Sequence, residues 1–132
     1  MIDSTGLDMR SVMLVAVLVL TTNSAKADCI DEGEMLAHLN TAREYCTDYR
    51  LTKHGIRMRA EGLLRMSKRP DRDECIAAGR QRAIEKTLTK KLGEAAQRND
   101  MAAVQKEMCA SIIAVLGLIS TLADTPTLIE RR

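Results

Sequence analysis

The apolar positions of this chain fall into one uninterrupted run and four spaced stripes. The run is SVMLVAVLVL, residues 11–20, greasy on every side and uncharged. Downstream, apolar residues recur three or four apart, the period that gathers them on one face of an α-helix. The first stripe reads Met35, Leu36, Leu39, Ala42, Cys46 and Tyr49. Asp31-Glu32-Gly33-Glu34 opens it, with acids at the end where a helix dipole favours them. The pattern slips around RLTKHGI, where Gly55 offers a break, and a short second stripe follows at Ile56, Ala60, Leu63 and Leu64. Pro70 closes that segment, because the residue before a proline avoids the α region; Asp71 or Asp73 can start the next helix.

The third stripe spans residues 72–97, with Ile76, Ala83, Ile84, Leu88, Leu92 and Ala95 as its inner face. Asn99-Asp100 then supplies a turn and an N-cap. Met101, Val104, Met108, Ile112, Val115, Ile119 and Leu122 form the fourth stripe. Its second half, CASIIAVLGLISTLA, is apolar almost all round and predicts the most deeply buried helix. At about 16 residues, interrupted by Ser111, Ser120 and Thr121, it is short for a membrane span. Thr125-Pro126 ends it and leaves a tail, TLIERR. No internal repeat stands out. The pattern thus predicts an all-α fold: an up-down-up-down helical bundle over residues 28–123, followed by a C-terminal tail, residues 124–132.

The greasy run itself reads as the core of a signal peptide covering residues 1–27. It is far shorter than the ~20 residues of a spanning helix, and Ala25-Lys26-Ala27 places small residues where a signal peptidase cuts. Asp3 and Asp8 are out of place in a signal peptide, whereas a start at Met9 gives the basic opening MRSVMLVAVLVL. A lipid anchor on Cys29 is disfavoured by Asp28 before it and Lys26 upstream. Cleavage after Ala27 leaves a mature chain of about 105 residues, one domain by length. Phe and Trp are absent, so the core must be built from Leu, Ile, Val, Met and Ala.

All four cysteines lie beyond that point, and an even number in a small exported domain implies two disulfides. There is no C-x-x-C redox pair, and separations of 16, 28 and 33 residues do not cluster as zinc ligands. Helix geometry then selects the pairing. Cys29 and Cys75 both lie near the bottom of the predicted bundle, while Cys46 and Cys109 lie in its upper half. Joining Cys29 to Cys46 would bridge one helix end to end, roughly 25 Å at 1.5 Å per residue, against the ~6 Å a disulfide spans. The prediction is Cys29–Cys75 with Cys46–Cys109.

Charge is laid out unevenly. Residues 28–48 hold six acids and one base, and residues 50–72 hold eight bases and two acids. Either the two segments complement each other within the fold, or the basic one meets an anionic partner. A net charge of only +2 and the lack of aromatics among the bases argue against nucleic acid. Tyr45 and Tyr49, with Arg50, Arg57, Arg59 and Arg65, are the candidate partner-binding residues. His38 and His54 lack an accompanying nucleophile, so no catalytic residues are assigned and enzymatic activity is not expected. His54, Met58 and Met66 have helical spacing that can hold Cu(I), but methionines so spaced are usually core, and neither metal nor cofactor is expected.

The resulting expectation is a periplasmic or secreted helical protein that acts by binding another protein: an inhibitor, an immunity protein or an envelope-assembly adaptor. Two alternatives remain on sequence grounds. One is an envelope stress chaperone exposing an apolar helix face; the other is a membrane-active protein that uses its last helix.

Overall fold

The computed structural model describes residues 25–132. The signal-peptide reading of residues 1–27 therefore falls mostly outside the described residues, as does the alternative start at Met9. Helix α1 covers residues 25–45, β1 is Tyr49–Leu51 and α2 is Lys53–Ser67. Then come α3 (Arg72–Thr87), α4 (Lys90–Gln97), α5 (Met101–Leu122) and β2 (Ile129–Arg131). The fold is all-α in class, stapled by Cys29–Cys75 and Cys46–Cys109, with Cα atoms 5.6 and 5.2 Å apart. Both pairings are those that helix geometry selects.

Several boundaries differ from the sequence reading, each for a local reason. Residue 25 is already helical, so the acids at 31–34 sit inside α1 and Glu34 is buried. The chain leaves α1 before Cys46 and turns, and Tyr49 belongs to β1 instead of the helix. Gly55 does not break a helix, because Thr52 caps α2 three residues before it, its hydroxyl accepting from Gly55 N at 3.0 Å. The third predicted helix is two helices. Leu88 is extended, and Thr89 caps α4 by accepting from Leu92 N at 3.1 Å. Asp71 does precede α3, yet its carboxylate is engaged by Arg69 at 3.0 Å and makes no capping bond.

Residues 124–132 are not a free tail. Leu128 is fully buried in the main core with Leu39, Ala42, Leu51, Ile112 and Leu116. Thr52 N donates to Leu128 O at 3.1 Å, and Thr52 Oγ1 donates to Thr127 O. Gly55 is required beneath this segment, since a side chain there would strike the Leu128 carbonyl. Strands β1 and β2 then pair antiparallel, with Tyr49 opposite Arg131 and Leu51 opposite Ile129.

Two helices pack by glycine where the sequence suggested larger residues. The buried face of α2 is Gly55, Gly62 and Met66, which leaves Ile56, Leu63 and Leu64 exposed. That of α3 is Cys75, Gly79 and Ala83, with Ile84 exposed. Small residues let backbones approach closely, and the apolar stripe of α2 is rotated outward as a result, whereas on α3 Ala83 stays buried and Ile76 packs against the cluster of Cys29, Leu36, Met66 and Cys75. Helix α5 is likewise not the most buried element: only Ile112, Leu116 and Ser120 are buried in it. At 22 residues, it is the one helix among the described residues long and apolar enough to cross a membrane.

Candidate functional site

The site begins at a close crossing. Helices α1 and α3 run in the same direction, joined near their starts by Cys29–Cys75 and four residues later by Gly33 against Gly79. A methyl group on Gly33 would lie 2.5 Å from Cys75 O, and one on Gly79 would lie 2.8 Å from Gly33 Cα and closer still to Glu34 N. Ion pairs clasp the flank: Arg82 to Asp31 at 2.8 Å, and Lys26 to Glu74.

Toward the far ends of the two helices the space between them opens into a cleft of about 540 Å³. That lies within the ~300–1,000 Å³ typical of ligand-sized cavities. Leu36, Ala37 and Thr41 of α1 face Ile76, Ala83 and Ile84 of α3 across it, Leu63 comes from α2, and Leu92 and Met108 close the end. Asn40, Glu44 and Arg80 stand at the polar margin. Four of the exposed large apolar side chains, Tyr45, Leu63, Ile84 and Leu88, belong to this one cleft.

Beneath the cleft lies a small buried polar cluster. Glu34 is buried, and Lys86 Nζ lies 2.8 Å from its Oε1 and donates to Oε2 at 2.9 Å. His38, one turn along α1, is 1% exposed and its Nε2 has no hydrogen-bond partner. Burial lowers the His38 pKa below its ordinary value; Glu34 opposes this and Lys86 adds to it. A buried imidazole without a partner is costly to charge. The unfolded chain therefore binds the proton more readily, and the sign follows. Stability is whole above about pH 6.5, declines as pH falls toward the folded pKa with a limiting slope of about 1.4 kcal/mol per unit, and levels off below it. Urea melts at neutral and mildly acidic pH should show this decline in the wild type and a smaller one in His38→Leu. Equal pH dependence in both proteins would remove His38 as its cause.

The residues singled out from sequence scatter. Arg65 pairs with Glu32 at 2.6 Å and Arg59 bonds Asn40 at 2.7 Å, so α2 meets α1 at two points, while Asp31 and Glu34 of α1 are paired by Arg82 and Lys86 of α3. Arg50 pairs with Glu130 across the ribbon at 2.9 Å. Arg57 is exposed and makes no ion pair among the described residues. Tyr45 and Tyr49 do meet, around a second, more open hollow of about 520 Å³ over the Cys46–Cys109 bridge, with Lys106, Ala110 and Arg131. Tyr45 borders both spaces and forms the ridge between them. Met58 packs on the main core and Met66 on the separate cluster around Cys29 and Cys75, so His54, Met58 and Met66 form no common site. Cys29, Cys75 and Asp71 lie close enough to share a metal ion, but both sulfurs are committed to their disulfide.

The cleft itself was not read from sequence. Its signal is the small residue at the buried positions of α1 and α3, which brings the two helices into contact at one end. No protein-family model, curated protein or solved structure matches the chain.

Proposed function

We propose that the protein is exported to an oxidising compartment and acts by binding another protein, whose apolar segment seats in the cleft between α1 and α3. The observation that carries this reading is the convergence of Tyr45, Leu63, Ile84 and Leu88, all exposed, on a single concave surface. Scattered exposed leucines need no explanation, whereas apolar side chains gathered around a concavity with a polar margin have the anatomy of a recognition site. Tyr45 is its rigid amphipathic anchor, of the kind that dominates binding energy. Two disulfides and no free cysteine accord with export, as does the leader on residues 1–27. Cleavage after Ala27 removes the Lys26–Glu74 pair and leaves the Cys29–Cys75 bond at the start of the mature chain.

A non-reducing pull-down from envelope extract with wild-type protein, Ile84→Glu and Arg57→Glu tests the proposal. The expected result is one stoichiometric partner for wild type and Arg57→Glu, with recovery cut about tenfold or more by a charge in the cleft, a cost above 1.4 kcal/mol. Ile84 is on the surface, so far-UV spectra and melts of the variant should match those of wild type. Undiminished capture by Ile84→Glu, or a heterogeneous set of clients, overturns the reading.

A further inference from the structure

His38 is a buried polar side chain that the fold leaves unanswered. It is 1% exposed, it lines the cleft, and no protein group bonds its Nε2. The large majority of buried polar side-chain atoms have a partner, so this one calls for an explanation. Its surroundings define what can supply the bond. Glu34, one turn earlier on α1, has its charge answered by Lys86 at 2.8 Å, so the cluster is neutral and offers a charged ligand no counter-ion. Burial keeps the imidazole itself neutral, with one nitrogen that donates and one that accepts. The walls nearby are apolar: Leu36, Ile76, Ala83 and Met108. Tyr45 lies seven residues further along the same face of α1, about 10 Å at 1.5 Å per residue, and is exposed where it borders the cleft.

We propose that the cleft holds an aromatic ring bearing a hydroxyl, the side chain of a tyrosine in the partner's apolar segment, with that hydroxyl on His38 Nε2. The proposal rests on the cleft being the partner-binding site and names what enters it. A hydroxyl suits either tautomer of His38, because it can donate to Nε2 or accept from it. An indole N–H only donates, and a carbonyl only accepts. A ring suits the walls. Met108 offers a thioether, which packs favourably on aromatic edges, and Tyr45 offers an offset or edge-on neighbour. The volume of about 540 Å³ has room for such a side chain. While the cleft is open, water can answer the nitrogen. A seated ligand displaces that water, and one that cannot replace the bond leaves a buried polar atom unpaired and loses affinity. The site therefore distinguishes a phenol from the same ring without its hydroxyl.

Titration of the oxidised protein with p-cresol, the tyrosine side chain alone, and with toluene, which lacks only the hydroxyl, tests this by nuclear magnetic resonance. The chain has two histidines, so loss of one set of ring signals in His38→Leu assigns them. The expected result is that p-cresol shifts the His38 ring signals and binds about tenfold or more tightly than toluene, 1.4 kcal/mol or above. His38→Leu should erase that preference while still admitting toluene, and Ile84→Glu should weaken both ligands. Toluene bound as tightly as p-cresol, His38 signals that do not move, or a preference that survives His38→Leu each overturns the proposal. The wild-type comparison holds even if a variant fails to fold. Equal binding of the two ligands, with partner capture lost in Ile84→Glu, removes the tyrosine and keeps the cleft as the partner's seat. A preference for p-cresol, with capture undiminished in Ile84→Glu, removes the partner's tyrosine and makes the cleft a site for free phenols.

Discussion

Gly79→Ala should destabilise the oxidised protein by about 3 kcal/mol or more, at the upper end of what one added methyl in a packed interior costs. The added carbon would fall among Glu34 N, Gly33 C and Gly33 Cα, which are backbone atoms of a helix and have no rotamer to move into. Relief requires α1 and α3 to separate, and Cys29–Cys75 one turn away resists that. An exposed helix interior reverses the sign of the same change, since alanine is favoured over glycine by roughly 1 kcal/mol. Gly93 in α4 provides that comparison, because nothing lies within 4 Å of the position its methyl would take. Urea melts followed by far-UV circular dichroism should rank Gly93→Ala at or above wild type and Gly79→Ala far below. If Gly79→Ala melts with the wild type, the two helices do not cross there.

The crossing also shows how much of the structure was legible in the sequence. CIDEG at residues 29–33 and CIAAG at residues 75–79 repeat one pattern, a cysteine and a glycine one turn apart on the same helix face. A search for long repeats passes over a five-residue match. The two patterns meet each other, sulfur to sulfur and glycine to glycine, and the opening of the cleft follows from that contact. Helical periodicity was a good guide on α1, where Leu36, Leu39 and Ala42 are all buried as their spacing predicts. It misled on α2 and at Ile84 of α3, though not at Ile76 and Ala83, because periodicity finds the apolar stripe and presumes that all of it faces inward. With glycine available on another face, close backbone approach fixed the rotation instead, leaving Ile56, Leu64 and Ile84 outside. The ribbon was illegible for another reason: three-residue strands such as YRL and IER are too short to show alternation. Leu128 accepts a bond from Thr52 N, 76 positions away in sequence, and nothing local in TLIERR announces it. The cysteine pairing survived these errors because it needed only the approximate height of each sulfur in the bundle. The candidate site did not, since its walls are the very stripes that the reading had turned inward.

Reduction of both disulfides should unfold the protein at room temperature, and the bonds should open in order. The closed loops span 46 and 63 positions, and in the chain-entropy model each restrains the unfolded chain by about 4 kcal/mol. The loops interlace, so their effects do not simply add; even so, losing both approaches the whole 5–15 kcal/mol of a small domain. A core without Phe or Trp has little to set against that loss. Access decides the order. Cys29 and Cys75 are both buried beneath Met66 and Leu36, whereas Cys109 is only half-buried and lines the open hollow beside Tyr45 and Tyr49. A thiol must reach a sulfur to exchange with it, so Cys46–Cys109 should open first. Graded dithiothreitol, quenched by alkylation and mapped by mass spectrometry, should label Cys46 and Cys109 before Cys29 and Cys75. Circular dichroism on the same samples should retain most helix after the first step and lose it after the second. The first bond to open frees the main core, where Leu39, Ile112 and Leu116 pack around Cys46; the second bond still holds α1 to α3 at Gly33 and Gly79. If Cys29 and Cys75 are labelled first, the close crossing is more open than its packing implies. If the fully reduced chain keeps its helices, the apolar core alone carries the fold.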